Sequence, residues 1–334
     1  MKAMVLSRYG SPDFLELQEV AKPAPGDNEV LVNVHAASIN SWDWEMLMGT
    51  PFANRIMAGL FKPTKIPVQG CDIAGTVEAV GKNVTRFRPG DAVYGDLSGC
   101  GFGGFAECVC ARENALVSKP DSMTFEQAAA IPQAALLALQ GLRDKGQIQP
   151  GQKVLINGAG GGAGSFAVQI AKAYGAEVTG VDSTEKLDAM RAMGADHVMD
   201  YTRDDYTKTG KTYDLILDFA LHRSVFDCLP ALTPKGNYVV VGGATARILQ
   251  TLLVGVWLSI TGGKKAGLLL HKANKGLGDM KTLFESGKVA PNIDRRYPLS
   301  EAAEALRYFG EGHAKGKIVI TVAHENKPDK EAFK

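Results

Sequence analysis

The stretch Asn157-Gly158-Ala159-Gly160-Gly161-Gly162-Ala163-Gly164 decides how this chain is read. Directly before it runs Lys153–Asn157 (KVLIN), an apolar segment of strand length. Directly after it, residues 165–174 (SFAVQIAKAY) place apolar side chains at helical intervals. A glycine cluster alone would mark any flexible turn. Between a strand and a helix it has a specific physical use. Glycines let the backbone approach a pyrophosphate with no Cβ in the way, and the helix start offers N–H groups and a positive dipole end to the anion. The expectation is a dinucleotide-binding turn, with Gly158, Gly160, Gly161, Gly162 and Ala163 at the phosphates.

A second sign lies at the end of the next apolar run, 177–181, where Asp182 follows 18 positions after Gly164 and 24 after Gly158. An acidic residue about 20 positions beyond the turn holds the adenosine ribose in this kind of unit. A carboxylate there favours NADH and repels a 2′-phosphate. Ser183, Thr184 and Lys186 follow, with Lys186 read as a surface residue, and these offer donors for that phosphate. NADH and NADPH both stay open, with a slight lean to NADH or dual use. The competing reading of Asp182 is a cap for a helix over 184–193.

Working outward, further strands are expected at 197–199, 213–219 and 237–241. Short apolar strands alternating with helices build a parallel sheet through right-handed crossovers, the doubly wound α/β class. Residues 1–125 are different. β-branched runs at 29–34, 75–80, 91–94 and 105–109 are punctuated by proline and glycine, and helical spacing begins only at 125–142, with Pro132 starting a new helix. Past the sheet come a helix over 299–308 with Ser300 as N-cap, a last strand at 316–320 and a solvated tail at 325–334. A chain of 334 residues is expected to hold two domains.

Composition narrows the class. The 45% hydrophobic and 22% charged fractions are those of a globular protein, and a net charge of +1 gives nucleic acid no reason to bind. The opening MKAMVLSRYGSPDF has no apolar core of signal-peptide length, so a cytoplasmic location is expected. Five cysteines, an odd count, read as reduced thiols. The longest apolar run, 248–260 (ILQTLLVGVWLSI), falls short of the roughly 20 residues of a bilayer span. It reads as a buried helix, a dimer contact or a pocket wall. Lys264 and Lys265 behind it leave a membrane-surface contact open, though not as the expected one. With 237–241 as an edge strand, the run supports a homodimer.

Several short motifs then fall in one order: Ala37-Ser38-Ile39-Asn40-Ser41-Trp42-Asp43, Gly70-Cys71-Asp72-Ile73-Ala74-Gly75, Phe87-Arg88-Pro89-Gly90-Asp91, Gly103-Gly104-Phe105-Ala106-Glu107, the glycine turn, Gly194-Ala195-Asp196 and Gly316-Lys317. Together they resemble the zinc-free quinone oxidoreductase branch of the medium-chain dehydrogenase/reductase superfamily. The resemblance implies a GroES-like β-barrel domain at 1–127, completed by 269–334, with a Rossmann domain at 128–268 between. It implies Asn40 near the nicotinamide, Tyr201 flanking the adenosine, Gly242-Gly243 beside the nicotinamide and Lys317 reaching the cofactor. Leu137 departs from the branch by standing where many members carry threonine.

The activity implied is metal-independent hydride transfer from NADH or NADPH to a small molecule, a quinone or an α,β-unsaturated carbonyl. Asn40 is the catalytic candidate, donating a hydrogen bond to the acceptor oxygen as charge develops on it. Trp42, Trp44, Met46 and Met48 either line the acceptor pocket or pack as ordinary core. Two alternatives are carried. A zinc-dependent alcohol dehydrogenase needs three converging ligands; Cys71 and Asp72 are suitable types, but no third stands out. A catalytically lapsed cofactor-sensing protein would keep the fold without the reaction.

Overall fold

The computed structural model describes residues 1–323; the expected tail at 325–334 lies outside them. The chain forms two compact units. The first holds Met1–Lys119, Arg296–Gly310 and, among the described residues, 319–323. The second holds Pro120–Arg295 and Glu311–Ile318.

The first unit is antiparallel. β1 (Lys2–Leu6) and β2 (Leu15–Glu19) form a ribbon. β3 (Glu29–Ile39) pairs with β4 (Asp72–Val80), which pairs with β5 (Ala92–Asp96). The first half of β3 also pairs with β6 (Cys108–Arg112), and β5 ends the sheet against β7 (Val117–Ser118). At the end of β3 the backbone N–H of Asn40 donates to Asp43 Oδ2 at 2.8 Å. That bond stops the strand and starts α1 (Ser41–Met48), followed by α2 (Phe52–Ala58).

The second unit opens with α3 (Phe125–Ala129) and α4 (Pro132–Leu139), where proline takes the first helical position as the sequence suggested. Then come β8 (Lys153–Asn157), α5 (Gly162–Ala173), β9 (Glu177–Asp182), α6 (Leu187–Ala192), β10 (His197–Asp200), β11 (Tyr213–Asp218), α7 (Val225–Cys228), β12 (Leu232–Val240), α8 (Thr245–Thr261), β13 (Lys265–Leu268) and α9 (Leu277–Glu285). The six strands are parallel in the order β10-β9-β8-β11-β12-β13. This is the doubly wound 3-2-1-4-5-6 order, and it puts a switch point between β8 and β11, where ligands bind at strand carboxyl ends. α5 buries Phe166, Val168 and Ile170 completely, each about 1.5–3 kcal/mol more favourable than if exposed. β14 (Ile293–Pro298), α10 (Ala302–Gly310) and β15 (Lys317–Thr321) are the last elements among the described residues, and the larger sheet runs β14-β15-β3-β4-β5-β7.

Three expectations change. The second unit begins at Pro120 and runs to Arg295, rather than spanning 128–268, because α9 packs on α4 and the loops beside it are bonded by Gln140 and Gln169. β12, expected at an edge, has β11 on one side and β13 on the other, so the sheet ends at β13. Ser300 is not an N-cap: a single 3₁₀ turn, Leu299–Glu301, leads into α10. For the run 248–260, where several readings were open, the structure gives a half-buried helix: Val254 and Leu258 join the core while Leu249, Leu253, Val256, Trp257 and Ile260 stay exposed.

Candidate functional site

In the second unit the glycine turn links β8 to α5. Gly158 has φ of +86°, a conformation an L side chain resists, and its carbonyl accepts from the Gly161 N–H at 3.2 Å. Gly164 is held by space instead, since a Cβ there would lie 2.0 Å from the Gly158 oxygen. Gly161, the N-cap of α5, is open: a Cβ would meet nothing nearer than the Gly158 oxygen at 3.5 Å. The N–H groups of Gly162, Ala163 and Gly164 belong to the first turn, which has no intrahelical acceptors for them. Lys317, only 2% exposed, runs its stem past Gly162, with Cδ 3.1 Å from where a Cβ would stand. A bare helix start with a buried lysine stem beside it is a cradle for a diphosphate, and the dinucleotide fits it.

Asp182 braces this turn. Its Oδ2 accepts from the Gly160 N–H at 2.9 Å and its Oδ1 from the Ser183 N–H at 2.9 Å. Lys186 Nζ stands 3.5 Å from Oδ1. Contrary to expectation Lys186 is not a surface residue: its side chain is 13% exposed and crosses Gly160 to reach the Gly312 carbonyl. Thr184 also differs from expectation, because its hydroxyl donates to Asp200 Oδ2 rather than standing free for a phosphate. Tyr201 is exposed, and its backbone N–H donates to the Asp182 carbonyl at 3.1 Å, which ties the end of β10 to the end of β9. Gly242 and Gly243 are exposed just past β12, in the row of strand carboxyl ends that includes Asn157, Asp182 and Asp218.

Asp218 was not foreseen. It is fully buried at the end of β11. Its Oδ1 accepts from Asn157 Nδ2 at 2.9 Å and from the Ala220 and Leu221 N–H groups at 3.0 and 2.8 Å; its Oδ2 accepts from the Tyr238 hydroxyl at 2.7 Å. One carboxylate thereby ties the end of β8 to the loop after β11, across the switch point. Burial pushes the Tyr238 and Tyr206 phenols far above their ordinary range, so Tyr238 stays a donor at neutral pH. The only sequence signal was a polar residue ending each of two apolar runs.

The first unit holds a separate buried polar cluster. Asn40 Nδ2 donates to Asp72 Oδ2 at 2.9 Å and, weakly, to Cys71 Sγ at 3.4 Å. Asp43 Oδ1 accepts from the Cys71 N–H at 3.1 Å. Asp96 comes in from β5, and ligand atoms of Cys71, Asp72 and Asp96 lie within 4.8 Å of one another. This corrects the sequence reading, which found no third candidate ligand. The donor types suit zinc. The arrangement does not: the Asn40 amide donates to Cys71 Sγ and to Asp72 Oδ2, engaging lone pairs a cation would need, and Asp96 Oδ1 accepts from the Ser98 N–H at 2.8 Å. Of the four residues expected around an acceptor, Met46 is fully buried core. Trp42 meets Phe102 edge-on with centroids 5.5 Å apart, and Trp44 lies over Gly310. Exposed apolar side chains sit instead at Phe52, Ile56 and Phe61.

Comparison with known proteins agrees with both units. Residues 26–121 match the alcohol dehydrogenase GroES-like domain, and residues 193–320 match the zinc-binding dehydrogenase model. A chloroplast envelope quinone oxidoreductase homolog of Arabidopsis thaliana is 35% identical, covering 96% of this chain and 98% of its own. The chain belongs to the quinone oxidoreductase family of medium-chain dehydrogenase/reductases. The 2-methylene-furan-3-one reductase of Solanum lycopersicum is a more divergent match, 33% identical over 96% of this medium-chain dehydrogenase/reductase and 79% of its own chain. The solved quinone oxidoreductase of Coxiella burnetii superposes with a TM-score of 0.87 at 29% identity, over 97% of this chain and 99% of that one. The range matched to the zinc-binding model contains none of Cys71, Asp72 and Asp96, so its description does not bear on the cluster.

Proposed function

We infer that this chain is an NAD(P)H-dependent quinone and enone reductase, and we propose that it works without a metal. The observation that carries the reading is the open start of α5 at Gly161 with Lys317 alongside. The family relatives named as quinone oxidoreductase and as furanone reductase supply the acceptor class. When bound, the reduced nicotinamide supplies the hydride. The protein holds the diphosphate on the N–H groups of Gly162, Ala163 and Gly164, and its Asp182–Lys186 pair faces the adenosine end with Tyr201. Asn40 is proposed to donate to the acceptor oxygen. Its strong bond to Asp72 fixes the amide, and the weak contact to Cys71 Sγ is the one a substrate oxygen replaces. An acceptor that is already electrophilic needs no Lewis acid.

Steady-state oxidation of NADH and NADPH with a panel of quinones and enones tests this, with and without chelator. Turnover with both nucleotides, indifferent to chelator, is expected. One tightly held zinc per chain with chelator-sensitive activity would move the assignment to the alcohol dehydrogenase reading.

Two further elements belong to the same proposal. The exposed edge of β13 supports a homodimer, with the two strands paired about a two-fold axis. Light scattering should give twice 35.6 kDa. A cytoplasmic location accords with five cysteines, none of them in a disulfide among the described residues; burial and the charge of Glu29 push the Cys110 thiol up to about 11. Cell fractionation checks it.

A further inference from the structure

α8 is apolar on two sides. Its inner side, with Val254 and Leu258, packs on the parallel sheet against Ile216, Tyr238 and Val240. Its outer side carries Leu249, Leu252, Leu253, Val256 and Ile260 at helical spacing with Trp257 beside them; Leu253 is 73% and Ile260 80% exposed. At 1.5 Å per residue the stripe is about 16 Å long. A helix apolar all round is normally covered.

Charge says what covers it. Across residues 229–278 there is no aspartate or glutamate, while Lys235, Arg247, Lys264, Lys265, Lys272 and Lys275 all fall there. α8 is the crossover between parallel β12 and β13, so it runs antiparallel to β13. Lys264 and Lys265 therefore sit at one end of the stripe, and Arg247, Leu270 and Lys272 at the other. Lys265 and Lys272 are both exposed. Among the described residues no helix is long and apolar enough to cross a membrane. An apolar stripe with cations at both ends, a tryptophan and no acid in its own stretch, with the exposed Asp227 on neighbouring α7 as the acid beside it, matches the surface of an anionic bilayer.

We propose that α8 is a peripheral membrane contact, lying flat on an anionic lipid surface with Leu249, Leu253, Val256, Trp257 and Ile260 in the headgroup–acyl boundary. The inference stands on this face alone and is independent of the acceptor. The test is co-sedimentation of the full chain with phosphatidylcholine vesicles, with and without phosphatidylglycerol, at low and high salt. The parent should bind only the anionic vesicles, with binding weakened by salt and a blue shift in tryptophan emission that Trp257→Phe removes. The double variants L253E/I260E and K265E/K272E should each lower vesicle affinity by about tenfold or more while still binding NADH. Failure of the parent to bind anionic vesicles overturns the proposal, as does unchanged binding by L253E/I260E. It is also overturned if L253E/I260E halves the particle mass in solution, which makes the face an interface between copies.

Discussion

The two buried polar clusters are built in opposite ways. Around the glycine turn, each polar group ends a strand of one parallel sheet: Asn157 on β8, Asp182 on β9, Asp218 on β11. The βαβ repeat delivers them to one row because each parallel strand ends on the same side of the sheet. In the first unit, Asn40, Cys71 with Asp72, and Asp96 come from the ends of antiparallel strands and the turn before α1, with no common period. The first cluster is organised around an opening, and the second is closed on itself by Asn40. The opening leaves backbone N–H groups bare for a diphosphate, whereas the closed cluster holds the Asn40 amide in one orientation.

The sharpest way to break this contrast is inside the turn. Gly161 and Gly164 look alike in sequence, yet a side chain at Gly161 enters open space and one at Gly164 strikes the Gly158 carbonyl. Gly161→Val should keep the fold and weaken NADH binding by roughly 1000-fold or more, about 4 kcal/mol, because it fills the diphosphate's place. Gly164→Ala should do the reverse, lowering stability by about 2–4 kcal/mol through overpacking against backbone. Fluorescence titration with NADH and thermal melts of both variants separate the two. If Gly161→Val binds NADH like the parent, the opening is not the cofactor site.

A smaller effect is expected in the closed cluster. Asn40→Ala removes the donor that Asp72 and Cys71 share. It should lower kcat by about 100-fold, the size of losing one donor to a developing oxyanion, and leave the NADH dissociation constant unchanged. Equal kcat in parent and variant would reduce Asn40 to a brace for the loop before α1.

How much of this was legible depends on the same contrast. The strand–turn–helix at 153–173 could be read directly, since its pattern is local and every glycine lies within eight residues. Asp182 was legible as the right residue in the right place, but not its bonds to Gly160 and Ser183, which depend on how the turn folds back. Asp96 was invisible as a partner of Cys71 because antiparallel pairing of β4 with β5, not spacing, sets Asp72 opposite Asp96. The edge position of β13 was missed because a four-residue strand carries almost no periodic signal. The run that forms α8 was legible as apolar but left several readings open, because hydrophobicity reads the same whether a helix is buried or waits for a surface.

Asp182 tests the comparison most finely, since it both braces and faces the opening. Each oxygen already accepts one backbone N–H, and an ionised carboxylate keeps further lone pairs for ribose hydroxyls. Against a 2′-phosphate the same charge repels, at a cost on the order of 1 kcal/mol or more at partly buried contact distance. Lys186 at 3.5 Å offsets part of that, and more effectively than an exposed cation, because it is sheltered. Asp200, one strand over and register-paired with Asp182, adds a second negative charge nearby, and Thr184 is committed to it. We propose on this balance that NADH is used at least as well as NADPH. Asp182→Ser removes the repulsion and releases Lys186 toward the phosphate, two changes of the same sign. The ratio of kcat/KM for NADPH over NADH should then rise by about tenfold. The lost brace on Gly160 should appear separately, as a drop of about 1 kcal/mol in stability measured by denaturant unfolding. If stability falls while the ratio stays fixed and the parent already prefers NADPH, the carboxylate serves the turn alone and the adenosine end is read by Lys186.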